Sequence, residues 1–167
     1  TQAAELRFVE QDAPADPRLW LEQQLGVTLS DAPAYQRQGK LGHYLHYRQQ
    51  LNGAPIAGLM AAVSLDEQGR PWRLYHNTRL MQAQATPCDE ASRAGVDAYT
   101  ATLDGTVWQF AGSDEAQPWY WQDGDTLTAA WRLLAVESQP GNSKSSHWQL
   151  FVTCDGSALL GRTLQEA

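Results

Sequence analysis

The stretch that decides the fold is Leu45-His46-Tyr47-Arg48-Gln49-Gln50-Leu51-Asn52-Gly53-Ala54-Pro55-Ile56-Ala57-Gly58. From Tyr44 to Leu51 the residues alternate: Leu45, Tyr47, Gln49 and Leu51 point one way, and Tyr44, His46, Arg48 and Gln50 the other. That is the period of a strand. Asn52-Gly53-Ala54-Pro55 then reads as a turn, because Asn and Gly tolerate positive φ and Pro pre-sets the entry to the next strand. If Gln49 faces inward with Leu45 and Tyr47, its amide must be satisfied by backbone groups, which would pin that turn. Ile56 to Leu65 resumes as a second strand with Leu59, Val63 and Leu65 on one face, and Asp66-Glu67-Gln68-Gly69 is a second turn. In a third strand Trp72, Leu74 and His76 alternate with Arg73, Tyr75 and Asn77. The outcome is an antiparallel meander. Upstream, Asp16-Pro17 opens a short helix that closes at Leu25-Gly26, with Asp as cap, Pro at the first helical position and Gly just past the end. A polar loop separates this helix from the meander.

The second half repeats the outline. Asp89 caps a helix running to about Tyr99, with Ala91, Ala94, Gly95 and Ala98 as a small-residue face. Gly95 would cost about 1 kcal/mol against Ala in an open helix, so close packing onto a sheet is its expected reason. Strands follow around Val107–Phe110, Trp119–Gln122, Leu127–Glu137, His147–Cys154 and Ala158–Leu164. Turns at Asp123-Gly124-Asp125, Pro140-Gly141-Asn142-Ser143 and Asp155-Gly156 separate them. Each half is therefore expected to be a helix laid on an antiparallel sheet, an α+β arrangement. Residues 80–88 read as the connector.

Length and charge agree with two small domains. The 167 residues are 43% apolar and carry a net charge of −7, with a pI near 4.9. Residues 1–83 hold eight basic and eight acidic side chains, whereas 84–167 hold four basic and eleven acidic, which accounts for the whole net charge. Five of the seven tryptophans, Trp108, Trp119, Trp121, Trp131 and Trp148, lie in the acidic half. So acidic a chain is a poor non-specific binder of nucleic acid, and no apolar run approaches the roughly 20 residues a membrane helix needs. The chain opens on Thr1 with no visible signal peptide, so a segment upstream of it is expected.

The segment from Leu45 to Gly69 resembles the fungalysin/thermolysin propeptide domain. That family's pattern is an aromatic, a Gln two residues on, then Asn-Gly-x-Pro-aliphatic-x-Gly and a strand ending in Asp-x-x-Gly. Tyr47, Gln49, Asn52, Gly53, Pro55, Ile56, Gly58 and Gly69 match it. The second half resembles the PepSY domain that often comes next in metallopeptidase precursors. Trp148-Gln149-Leu150-Phe151-Val152 fits its closing pattern. Leu127 and Trp131 stand further apart than that pattern has them, Thr153 replaces the usual Asp, and the Asp155-Gly156 turn is a residue short.

The resemblance implies residues 1–83 as a propeptide-like domain and 84–167 as a PepSY-like domain, each a small cystatin-like unit. It further implies the prosegment of a secreted zinc metallopeptidase, an intramolecular chaperone and inhibitor of a catalytic domain encoded in the same precursor. The alternative is a stand-alone extracellular or periplasmic protease inhibitor or binding protein with the same folds. In such a compartment Cys88 and Cys154 are either a disulfide or two buried free thiols.

No residue pattern asks for chemistry. His43 and His46, three apart on a strand, face opposite sides and cannot share one ion. H-E-x-x-H, G-x-S-x-G and a Gly-rich phosphate loop are absent from the sequence. Asp114-Glu115 and Asp123-Gly124-Asp125 lack the order of a calcium loop and read as solvated turns. A non-enzyme without metal or cofactor is expected, with no nucleic-acid partner and no membrane insertion. Its candidate contacts are Trp119 and Trp121, as an aromatic anchor set against core filling, and the tail Leu164-Gln165-Glu166, as an extended segment leaving an edge strand.

Overall fold

The structure is a computed structural model that describes residues 3–82, 86–139, 141 and 144–165. The chain divides into two compact units, Thr1–Gln82 and Ala83–Ala167. The first contains β1 (Ala4–Arg7), α1 (Pro17–Leu25), β2 (Thr28–Leu29), β3 (Tyr35–Gly39), β4 (Gly42–Leu51), β5 (Ala54–Leu65) and β6 (Pro71–His76). The second contains α2 (Ala94–Thr100), β7 (Trp108–Phe110), β8 (Gln117–Asp123), β9 (Thr126–Ser138), β10 (Ser145–Thr153) and β11 (Leu159–Leu164). Two single 3₁₀ turns, Glu90–Ser92 and Ser113–Glu115, precede α2 and β8.

In the first unit the strands run β1-β6-β5-β4, and β2 and β3 lie one after the other along the far side of β4. All of these pairings are antiparallel. The Asn-Gly turn is as the sequence predicts: Leu51 pairs with Ala54, while Asn52 and Gly53 have φ of +52° and +81°. Positive φ at both central residues is the type I′ geometry whose twist matches a hairpin. Asp16 caps α1 by accepting from the Arg18 and Leu19 amides, Pro17 is its first residue, and Gly26 ends it at φ +70°. The core joins Trp20 and Leu21 of α1 to Leu29, Leu45, Tyr47, Ala61, Val63, Leu65 and Leu74. Phe8 meets Trp20 edge-to-face at 5.2 Å.

In the second unit β10 lies on one side of β9, and β7 and β8 share the other, while β11 closes the edge on β10. Trp131, Tyr120, Leu133, Leu150, Phe151 and Val152 are buried on these strands, and α2 adds Val96 and Tyr99.

The expectation of two cystatin-like units, each a helix packed on a sheet, is overturned. Among the described residues there are eleven strands, and helix makes up only 14%. The helices have nine and seven residues, about 13 and 10 Å long, so sheet dominates both units. The extra sheet comes from β1, whose Ala4-Glu5-Leu6-Arg7 alternation is only four residues long, and from β2 and β3, which lie in the expected polar loop. The second helix also departs from its expected face. Asp89 does cap, accepting from the Ser92 amide at 3.0 Å, but onto a 3₁₀ turn. That tighter turn shifts the phase of the helix behind it. Ala91, Ala94 and Ala98 are exposed, and Gly95, Val96 and Tyr99 face inward.

Candidate functional site

Tyr47, Gln49, Asn52, Gly53, Pro55, Ile56 and Gly58 lie on the β4–β5 hairpin. Tyr47 is buried in the core, and Gln49 is the one buried polar side chain among the described residues, 4% exposed. Its amide meets both backbone groups of one residue: Nε2 donates to the Arg79 carbonyl at 2.6 Å, and Oε1 accepts from the Arg79 amide at 3.0 Å. A primary amide is the side chain that can reproduce a strand's donor–acceptor pair in this way. Gln49 thus finds the backbone partners its place requires, but it pins the chain after β6, thirty residues away, and not the adjacent turn.

Asn77 secures the same segment from the other direction. Its Oδ1 accepts from the Met60 amide and its Nδ2 donates to the Gly58 carbonyl, both at 2.8 Å. The register explains why these groups are free: the β5–β6 ladder ends at Ala61 and His76, one residue short of Met60, and Gly58 sits in a bulge of the β4–β5 ladder. Arg48 pairs with Met60 and Gln50 with Pro55, so four residues of β5 bulge opposite Gln49. Gly58 lies in that bulge and Pro55 at its start. Nothing in the sequence around Asn77 marks it out, because its partners are backbone groups freed by a ladder end and a bulge. Gly69 closes the Asp66 turn, where Asp66 accepts from the Gln68 and Arg70 amides at 2.9 Å. Those bonds, with the Arg70 guanidinium at 2.9 Å, hold the Asp66 carboxyl below its ordinary value.

In the second unit, Trp131 is wholly buried, with the Arg93 guanidinium 4.6 Å above its ring. Arg93 also donates to the Ser113 and Ala116 carbonyls at 2.7 and 2.8 Å, so it ties α2 to the approach to β8. Trp148 is half-buried under Arg162 at 4.3 Å and donates to Glu137. Trp119 is buried against Phe151 at 5.6 Å, with Arg132 over its ring. Trp121 is half-buried, 5.1 Å from Phe151. Of this aromatic pair only Trp121 keeps accessible surface for a partner. Leu164 is 60% exposed on β11, and the Gln165 amide bonds the His147 carbonyl. Glu166, the rest of the tail and much of the expected Pro140–Ser143 turn lie outside the described residues, as do 83–85 of the connector.

Cys88 and Cys154 are joined in a disulfide. Beside it Gly95 lies so close to the β10–β11 turn that an added Cβ would stand 2.2 Å from the Cys154 carbonyl oxygen. Gly156 meets Gly95 from the other side, its own added Cβ falling 1.9 Å from the Gly95 carbonyl oxygen. Backbone against backbone, two glycines and a disulfide lock the start of α2 to the end of β10.

His43 bonds Gln36 and His76 bonds Thr78. Among the described residues no three His, Cys, Asp or Glu side chains gather as metal ligands, and no helix is long and apolar enough to cross a membrane. No protein-family model matches the chain, and no curated protein does.

Proposed function

We propose that this chain is the prosegment of a secreted zinc metallopeptidase, acting by binding as chaperone and inhibitor of the catalytic domain encoded after it. The observation that carries the reading is the β4–β5 hairpin. Tyr47 fills the core, Asn52 and Gly53 make the turn, Gly58 sits in the bulge, and Gln49 performs the one duty that few other side chains could. The reading rests on that hairpin and not on the overall architecture. The disulfide supports an oxidising compartment, hence secretion or the periplasm.

In this reading the units fold first and present a fixed surface on which the peptidase assembles. They then cover its cleft until they are degraded. The acidic second unit pairs with a basic patch on the catalytic domain, so inhibition weakens as salt rises. The test begins with the gene beyond the codon for Ala167. An H-E-x-x-H codon set within the next few hundred codons identifies the peptidase, which this chain added in trans should inhibit at low salt. A stop codon there refutes action in cis and leaves an inhibitor or binding module that works on a separate protein. An encoded peptidase that the chain neither inhibits nor helps to refold refutes the proposal.

A further inference from the structure

The outer face of the first unit, opposite its core, is unlike the rest of this acidic chain. Residues paired across the strands put Tyr35 and Arg37 of β3, Tyr44 of β4, Ser64 of β5 and Arg73 of β6 on that face. A bulge adds Trp72: Ser64 pairs with Arg73 but Leu65 with Pro71, so Trp72 is the extra residue and turns outward beside Arg73. The Arg7 guanidinium lies 5.4 Å over its ring.

Between these side chains and the β3–β4 hairpin tip runs an open groove of about 600 Å³. Its walls carry Arg37, Lys40 and Arg73 with Tyr35, Tyr44 and Trp72, and no carboxylate lines it. Arg73 and Arg7 share the single carboxylate of Glu5, while Arg37 and Lys40 make no ion pair among the described residues. Residues 1–83 carry no net charge, so the groove is a local concentration of positive charge. A second feature adjoins it. Among the described residues β3 pairs only with β4, and all five of its residues are exposed. Every second N–H and C=O along it points away from the sheet, which is the template an extended chain needs in order to add as a strand.

We infer that this groove and the free edge of β3 bind an acidic polypeptide segment in extended form. Its backbone pairs with β3, its carboxylates lie on the face that carries Tyr35 and Arg37 and meet Arg37 and Lys40, and the small apolar side chains between them point to the opposite face. A polypeptide suits the site better than a polyanion such as nucleic acid. Strand addition needs few charges, whereas a row of phosphates needs more cations than Arg37, Lys40 and Arg73 supply. The groove belongs to the first unit, whereas the peptidase reading places its charge pairing on the second, so either can fail without the other.

The experiment uses the full chain and a fluorescein-labelled ten-residue peptide of alternating Glu and Val, titrated by anisotropy. Three comparison peptides or surfaces accompany it: the Lys-Val counterpart, the Glu-Val peptide N-methylated at four central residues, and vesicles of phosphatidylcholine with phosphatidylserine. A single-stranded oligothymidine is titrated as well. The Glu-Val peptide should bind, and the double variant Arg37→Glu, Lys40→Glu should weaken it roughly tenfold. N-methylation should weaken it by a similar factor, since it removes the donors that pair with β3. Both substituted residues are exposed, and an unchanged near-ultraviolet circular dichroism spectrum verifies that the variant is folded. Equal binding of the Lys-Val or N-methylated peptide, indifference to the double variant, or no binding of the acidic peptide would overturn the inference. So would binding of the vesicles or the oligonucleotide in its place.

Discussion

Replacing Gln49 by alanine tests whether the hairpin is held as described. The substitution removes both hydrogen bonds to Arg79, at 2.6 and 3.0 Å. Two bonds at a net contribution of about 1 kcal/mol each give about 2 kcal/mol. Water can reach part of the half-buried Arg79, so the orphaned backbone adds little to that. Losing the buried methylene of Gln49 adds about 1 kcal/mol, for a total of about 3 kcal/mol. In a unit of 82 residues this lowers its melting temperature by roughly 15 °C. Gln49→Glu is the sharper probe, because it keeps shape and one bond. One carboxylate oxygen still accepts from the Arg79 amide, but the other now faces the Arg79 carbonyl. Burial and that facing oxygen favour the protonated carboxyl in the folded state, so its pKa lies above the unfolded value of about 4.3. The folded variant therefore holds more protons than the unfolded one between those two values. Its stability falls as pH rises through that interval, and its deficit against the natural chain should be small at pH 4 and larger at pH 7. Urea unfolding at both pH values gives the energies, and hydrogen exchange at the Arg79 amide localises them. A loss below about 0.5 kcal/mol for Gln49→Ala, or a pH-independent deficit for Gln49→Glu, would refute the pairing.

Reducing the disulfide, or replacing Cys88 by serine, should cost the second unit about 4 kcal/mol, since it closes a loop of 66 residues. Thermal melts with and without dithiothreitol measure it. Gly95→Ala, which would stabilise an open helix by about 1 kcal/mol, should here destabilise by about 2 kcal/mol, because the new methyl meets the Cys154 carbonyl. A denaturant midpoint above that of the natural chain would show that the contact can yield. His46 has its pKa lowered by burial and then by Arg48, and burial lowers that of His76. A depressed histidine binds its proton in the unfolded chain first, so stability should fall as pH drops below about 6.5. His46→Gln should flatten that slope in urea titrations between pH 7.5 and 5.5.

What can be read from the sequence tracks how local its cause is. The β4–β5 hairpin is legible because the Asn-Gly turn and strict alternation on either side are short-range signals. So are the caps of α1, where Asp16, Pro17 and Gly26 each act within a few residues. That the Gln49 amide needs backbone partners is implied by its place between Tyr47 and Leu51. Which partners it takes is not, since Arg79 arrives from thirty residues on. Tyr35-Gln36-Arg37-Gln38-Gly39 reads as loop because both faces of an exposed edge strand are polar, and the apolar period that betrays a strand has nothing to act on. The cystatin-like expectation fails for a related reason. It comes from the family-like hairpin, whereas the balance of helix and sheet is decided by segments whose pattern is short or absent. Trp72 faces outward against its alternation because a bulge, invisible in the sequence, inserts it.

The disulfide also governs how such a chain is dismantled. Cys88 and Cys154 bracket α2 and every strand from β7 to β10. A single proteolytic cut anywhere between them opens a ring without parting the molecule. A nicked chain would keep its full mass under non-reducing conditions and fall into two pieces only when reduced. Clearance of the second unit by a protease therefore takes at least two cuts within the ring, or one cut and a reductant. Severing the connector, by contrast, breaks the covalent link between the two halves at a single stroke. The two halves of the chain thus differ in how many cuts their covalent structure withstands.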